Sequence, residues 1–494
     1  MEYKSTRGAE NGVSSAFAIK QGLASDGGLF MPCELPQITQ EEIRTLCGMT
    51  YPQRAAYILG KYLTDYTAEE LRADCEAAYA TDRFPSGAAP LHKLRDGLHV
   101  LELWHGPTCA FKDMALQIMP KLLSRALVKT GEKRDALILV ATSGDTGKAA
   151  LEGYRDVPHT KMLVYYPVDG VSRIQKLQMA TQEGGNVSVC SVRGNFDDAQ
   201  NGVKRIFSDA SAAQLLSEHG YILSSANSIN WGRLAPQIVY YVSAYCDLIN
   251  AGEITAGDEI NVTVPTGNFG NIFAAYLARR AGLPIHRLVC ASNCNNILTD
   301  FLQSGTYDRN RAFHTTMSPS MDILISSNLE RMLYLAAGSE RTTQYMRALS
   351  EQGVYTVDAD VKKALDDVFT GKFCSEENTA QTIRRTFKNE HYLIDTHTAV
   401  GLFCAEEYAK EDARPMVAVS TASPYKFASS VLTAISGKKS DDEFENLAEL
   451  NRVTGAPIPA PLASLAGKTI RFDPEAAIEA DQMRQRVLDV LGIS

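Results

Sequence analysis

From about residue 97 onward, short continuous apolar runs alternate with longer amphipathic stretches. ALILVAT (136–142) leads into TGKAALEGYR, MLVYYPV (162–168) into VSRIQKLQMATQEG, and NVSVCSV (186–192) into a long charged stretch with helical spacing. YILSSA (221–226) precedes WGRLAPQIVYYVSAYCDLI and INVTVP (260–265) precedes NIFAAYLARRAGL, while HRLVCAS (286–292) and PMVAVS (415–420) continue the series. Continuous apolar runs are strands buried on both faces, as happens when helices cover both sides of a mostly parallel sheet. An α/β fold follows, with ligands expected at the carboxyl ends of the strands. Residues 1–95 have a different texture, because YPQRAAYILGKYL and TAEELRADCEAAYA carry helical periodicity and SDGGLFMP (25–32) is a turn signal. The pattern predicts a helix-rich amino-terminal domain over 1–95 and a core over 96–435 in two lobes, the smaller over about 130–235. Residues 436–494, with GKKSDDEF and GAPIPAPLASLAG, read as a short peripheral extension.

Composition narrows the function. The 494 residues exceed one compact core, and 45% hydrophobic with 22% charged residues is ordinary for a soluble globular protein. A net charge of -9 argues against nucleic acid or an anionic membrane as the partner, while leaving room for one locally positive pocket on a small anion. MEYKSTRGAENG lacks the apolar centre of a signal peptide, and no later segment approaches the ~20 apolar residues of a membrane span, so a cytoplasmic protein is expected. Ten cysteines scattered singly suit reduced thiols. Cys290 and Cys294, near His286, lack a fourth ligand at a recognisable spacing, so they read as structural cysteines and no metal is expected.

Three loops carry candidate chemistry. ATSGDTGKAA (141–150) follows an apolar run and opens a helix, as an anion-holding loop does. It is not a nucleotide P-loop: Gly147-Lys148 is followed by Ala149 rather than Ser or Thr, and Thr142 stands where the first glycine belongs. A small anion, a carboxylate or a single phosphate, suits its N–H groups. In VTVPTGNFGNIFAAYLA (262–278), Gly267, Asn268, Phe269, Gly270 and Asn271 sit between strand and helix. They suit a phosphate grip and a simple tight turn about equally. In LELWHGPTCAFKDMALQ (101–117), Lys112 beside Phe111 and Asp113 reads as a solvated helix-terminal charge, or as the amine that a pyridoxal-phosphate enzyme requires.

HGPTCAFKD, SGDTGKAA, SSANSINWGRLAPQ, PTGNFGN and VSTASPYKF, in this order, closely resemble threonine synthase, a pyridoxal-phosphate enzyme family of fold-type II. YKSTRG, GLASDGGLFMP and SMDILISSNLERM extend the resemblance over most of the chain, in the longer form found in fungi and many bacteria. It implies fold-type II architecture, mostly parallel sheets flanked by helices. It makes Lys112 the Schiff-base lysine and Gly267, Asn268, Phe269, Gly270 and Asn271 the loop for the phosphate of pyridoxal 5'-phosphate. Thr421 matches the residue whose hydroxyl faces the pyridine nitrogen, which does not force that nitrogen to stay protonated. Ser143, Thr146 and the loop N–H groups would hold the substrate carboxylate. Asp145, where many relatives carry Asn, is expected to point away or bond to the backbone, because two adjacent carboxylates repel. Lys148 reads as a solvated first-turn charge.

By the same resemblance, Asn227, Ser228 and Arg233 would hold a substrate phosphate, although composition alone makes the first two helix caps and Arg233 a surface charge. The implied reaction converts O-phospho-L-homoserine and water to L-threonine and inorganic phosphate, in a monomer or homodimer. A serine or threonine dehydratase, a phospho-lyase acting on a related phosphorylated amino acid, and a non-catalytic metabolite-binding relative are the alternatives.

Overall fold

The computed structural model describes residues 1–142, 144–168 and 171–493. The chain opens with a small antiparallel sheet of β1 (Tyr3–Ser5), β2 (Asn11–Val13) and β3 (Phe30–Pro32), in the order β2-β1-β3. Helices Gln40–Cys47, Tyr51–Tyr62 and Ala68–Ala78 follow. Thr39 with Glu42, and Thr67 with Glu70, form reciprocal capping boxes that satisfy the first N–H groups of two of these helices. Buried Arg54 fastens this unit to the core through 2.7 Å contacts with Ser243 Oγ and Asp247 Oδ1, on the long helix Trp231–Asn250.

β4 (Leu91–Arg95) and β5 (Leu98–Glu102) pair as an antiparallel hairpin. Next come β6 (Asp135–Ala141), β7 (Thr160–Pro167), β8 (Val187–Val192) and β9 (Tyr221–Ser224), a parallel sheet in the order β8-β7-β6-β9. After β10 (Ile260–Pro265) and β11 (Ile285–Ser292), a hairpin of β12 (Thr306–Asp308) and β13 (Val354–Thr356) precedes β14 (Phe369–Phe373) and β15 (Met416–Ser420). The larger sheet runs β14-β11-β10-β15-β5-β4 and is parallel except for β4. The seven predicted apolar runs are β6 to β11 and β15 to within two residues, and all six residues of β10 are buried. β4 pairs with β5, so the last five residues expected in the amino-terminal unit run in the larger sheet.

Strand order reverses at two places. After β6 the chain moves outward through β7 and β8, then returns to β9 on the other side of β6; in the larger sheet the reversal lies between β10 and β15. Loops leaving adjacent strands in opposite directions open a crevice at the carboxyl ends. The loops after β5, β6, β10 and β15 are the four glycine-, lysine- and threonine-bearing segments of the sequence.

The carboxyl-terminal segment is not the peripheral extension expected. Leu447, Leu450, Leu462 and Leu465 pack into the core of the larger lobe. The helix Met483–Leu491 buries Met483 and Val487 against Leu137, Leu139 and Leu163 of the smaller sheet, and the Tyr165 hydroxyl donates to Met483 O at 2.7 Å. A sheet apolar on both faces must be covered on both, and the tail supplies part of that cover.

Candidate active site

The segment after β5 is held by its own short-range geometry. Asp113 accepts from Thr108 N at 2.8 Å and from Thr108 Oγ1 at 2.7 Å, and a Cβ on Gly106 would lie 2.5 Å from Asp113 Oδ2. Cys109 sits at φ 59°, a left-handed conformation costly for a residue with a side chain. Phe111 N donates to Thr421 O at 2.8 Å and Ser423 N to Cys109 O at 3.0 Å, which ties the segment to the end of β15. Lys112 therefore stands at the head of the helix Asp113–Leu116 beside Thr421. Its side chain is 14% exposed, with Nζ 3.9 Å from Asp145 Oδ2. Burial lowers its pKa; Asp145 opposes this, and the cations Lys426 and Arg233 reinforce it.

The loop after β6 folds around Thr142, whose Oγ1 accepts from Gly144 N at 3.0 Å and Gly147 N at 2.9 Å. Gly144 has φ 137°, and a Cβ there would lie 2.4 Å from the Gln175 side chain. Ser143 lies outside the described residues. Thr146 is half-buried, in the first turn of the helix Asp145–Tyr154. Two expectations for this loop are corrected. Among the described residues Asp145 bonds to side chains and not to backbone: its Oδ1 pairs with Lys426 Nζ at 2.7 Å and accepts from Gln175 Nε2 at 2.9 Å, while Oδ2 faces Lys112. Lys148 is buried rather than solvated, donating to Glu152 Oε2 at 3.2 Å and to Gln182 Oε1, because its helix packs inward.

After β10, Phe269 takes the left-handed conformation (φ 61°) immediately before the helix Gly270–Arg280, whose first turn receives no side-chain cap. A Cβ on Gly267 would lie 2.9 Å from Ser320 O, so the loop backbone has no room for a side chain there. Asn271 Oδ1 accepts from the Tyr240 hydroxyl at 2.6 Å and from the Tyr241 hydroxyl, while its Nδ2 is buried without a partner. In the turn after β9 the helix cap is Asn230, accepting from Gly232 N at 2.9 Å, and not Asn227 or Ser228. Arg233 is no surface charge: it is 3% exposed and, among the described residues, donates to Ala226 O at 2.5 Å and leaves Nε buried and unpaired. Burial pushes its guanidinium down to about 10, and no carboxylate pairs with it among the described residues.

Asn328 and Arg331, which sequence reasoning passed over, join two of these loops. Asn328 Nδ2 donates to Ser228 Oγ at 3.2 Å and to Asn268 O at 3.1 Å, and its backbone N–H also reaches Asn268 O, at 3.0 Å. Ser326 Oγ donates to Gly267 O at 2.7 Å. Fully buried Arg331 holds Asn328 Oδ1, Ile229 O at 2.6 Å and Phe30 O at 3.1 Å. The motif SMDILISSNLERM contained both residues, but no local pattern indicated what they would touch.

The residues present fit pyridoxal phosphate. A mostly buried amine with a lowered pKa lies by one strand end. A glycine loop without room for side chains, carrying an unpartnered buried amide N–H₂, opens an uncapped eleven-residue helix at another. Together these are the two anchors, an amine for the aldehyde and N–H groups for the phosphate.

Comparison with known proteins agrees. The chain matches the family models described as threonine synthase N terminus over residues 2–79, pyridoxal-phosphate dependent enzyme over 85–421, and threonine synthase, C-terminal, over 398–482. Threonine synthase of Schizosaccharomyces pombe is 38% identical over 470 residues, which cover 88% of this chain and 90% of that one. Threonine synthase-like 1 of Homo sapiens is 40% identical over 445 residues and 87% of this chain, and the chain spans 59% of that relative's length. The crystal structure of PLP-bound threonine synthase from Brucella melitensis matches with a TM-score of 0.88 at 37% identity, covering 99% of both chains. That of threonine synthase from yeast matches with a TM-score of 0.88 at 34% identity, covering 99% of this chain and 98% of that one. Likeness that extends from the amino-terminal sheet to the carboxyl-terminal helices, in sequence and in fold, makes this chain a member of the threonine synthase family of pyridoxal-phosphate-dependent enzymes.

Proposed function

We propose that the protein is a threonine synthase, converting O-phospho-L-homoserine and water to L-threonine and inorganic phosphate with pyridoxal phosphate. One observation carries the choice of substrate. Arg233 is a buried guanidinium with an unpaired Nε and no carboxylate partner among the described residues, linked through the turn bearing Ser228 to the Gly267–Asn271 loop. An uncompensated buried cation is costly unless an anion joins it, and a planar guanidinium takes two phosphate oxygens at once. A dehydratase acting on serine or threonine has no use for that second phosphate position.

The residue roles rest on the motif resemblance, and the described loop positions support them. Gly267, Asn268, Phe269, Gly270 and Asn271 would hold the cofactor phosphate at the helix N-terminus, and Thr421 would face the ring nitrogen. Ser143, Thr146 and the loop N–H groups would take the substrate carboxylate; Asn227, Ser228 and Arg233 would take its phosphate. Pyridoxal phosphate, when bound, supplies an aldehyde that condenses with amines and a conjugated ring that accepts the electron pair left behind by a departing proton. With the cofactor bound, the Lys112 amine would accept the substrate's α proton and return protons to later carbon centres, which requires a neutral amine. Its lowered pKa favours that form. Arg233 steadies the phosphate until the C–O bond breaks and then retains it as the leaving group. The ten free cysteines support a reducing compartment such as the cytoplasm, with the protein acting as a monomer or homodimer.

The test is product analysis against O-phospho-L-homoserine, O-phospho-L-serine, L-serine and L-threonine, with phosphate release followed in parallel. Threonine and phosphate in equal amounts, from phosphohomoserine alone, is the expected result. Ammonia and a 2-oxo acid formed faster from serine or threonine would make the protein a dehydratase.

A further inference from the structure

The loop proposed to take the substrate carboxylate already holds a buried carboxylate of its own. Asp145 is 5% exposed; although burial works against ionisation, Lys426 and Lys112 hold its carboxyl well below the usual carboxylate range. Unopposed, that charge would repel the substrate and keep the Lys112 amine protonated. Lys426 opposes it. Its ammonium group is wholly buried and has three acceptors for three N–H bonds: Asp145 Oδ1 at 2.7 Å, Gln178 Oε1 at 3.0 Å and Thr108 O at 3.1 Å. With Gln175 Nε2 also on Oδ1 at 2.9 Å, one carboxylate oxygen is fully engaged and the other is left towards Lys112, 3.9 Å away.

Other charged groups also act on Lys112. Arg233 faces it from the head of the long helix and Asp113 adjoins it in sequence, its carboxyl pushed up to about 7 by burial, while the Cys109 thiol, pushed up to about 12, stays neutral. Lys148 and Glu152 pair with each other on the next turns of the helix Asp145–Tyr154. We propose that Lys426 is a positioning residue whose ammonium neutralises Asp145, so that the loop accepts the substrate carboxylate and Lys112 is released as a neutral amine. This rests on the proposed threonine synthase reading for its substrate half and only on cofactor binding for its Lys112 half.

The test uses the cofactor-loaded enzyme and Lys426→Met, Asp145→Asn, the double variant, and Lys426→Arg. An opposite charge within about 4–6 Å moves a pKa by one to three units. Lys426→Met is therefore expected to move the acid limb of kcat/KM, and the pH midpoint of the bound cofactor's visible band, upward by about one unit or more. KM should rise about tenfold or more by the same reasoning, with a smaller effect on kcat. Adding Asp145→Asn should bring the limb and band midpoint back towards wild type, a rescue that loosened packing would not give, and Lys426→Arg should hold them near wild type. If Lys426→Met does not fold, Asp145→Asn alone decides the matter, with the band midpoint expected to fall. An unmoved band midpoint in folded Lys426→Met or Asp145→Asn, or no reversal in the double variant, would overturn the proposal. A wild-type protein that binds cofactor but leaves phosphohomoserine unreacted would overturn the substrate reading instead, while the band titration still decides Lys426.

Discussion

Replacing Arg233 by methionine should make the protein more stable and useless to its substrate. Burial lowers the guanidinium from 12.5 to about 10. At about 1.4 kcal/mol per decade, keeping the charge in the fold costs about 3 kcal/mol. At neutral pH the group is charged in folded and unfolded chains alike, so this cost is nearly independent of pH there. The bond to Ala226 O recovers about 1.5 kcal/mol, and an apolar side chain of similar length loses it but escapes desolvation. The net expectation is a gain of about 1–2 kcal/mol, read as a higher urea midpoint at unchanged slope, in buffer free of phosphate and sulfate. The protein is kept loaded with cofactor, so that the Gly267–Asn271 loop is taken. Inorganic phosphate at a hundredfold excess over its Kd should then stabilise the wild type by about 2.7 kcal/mol and the variant not at all. A variant less stable than wild type in phosphate-free buffer, or one still stabilised by phosphate, would refute the reasoning.

Lys112→Ala should abolish turnover and the cofactor's visible band while leaving the far-ultraviolet circular dichroism unchanged, since it removes one amine at a helix head. Gly267→Val should raise the Kd for pyridoxal phosphate in a fluorescence titration, because its Cβ would lie 2.9 Å from Ser320 O and the loop must shift. Asn328→Ala should weaken cofactor affinity and raise KM for phosphohomoserine together, since one amide spans Asn268 O and Ser228 Oγ; an effect confined to either would show that the two loops are fixed independently. Truncation before residue 470 should leave the smaller lobe open to limited proteolysis first, because it removes Met483 and Val487 from the core around Leu137 and Leu163.

The chain's own pattern was sufficient for seven strands, β6 to β11 and β15. Val, Ile and Leu in continuous runs such as those of β6 and β10 are stable only between two covering layers, and that requirement is written locally, residue by residue. The loops between strands and helices were equally legible, since glycine spacing marks where the backbone must turn or approach a ligand. Their roles rested on motif resemblance, and the fold then placed Lys112, Thr421 and the Gly267–Asn271 loop at neighbouring strand ends.

What the sequence could not determine is which buried polar and charged groups meet. Lys426 and Gln178 are 248 residues apart, and Asn328 and Ser228 are 100 apart, with no periodicity connecting them. Lys148 looked like any lysine in a first helical turn until Glu152 and Gln182 enclosed it, and Asp145 seemed a repulsive intruder until Lys426 reached it. The tail looked peripheral by composition, yet one sheet face needed its helix. Hydrophobic periodicity is a one-dimensional signal set by helix and strand geometry, whereas ion pairing inside a protein depends on which segments pack together and exclude water, and only the assembled tertiary structure decides that.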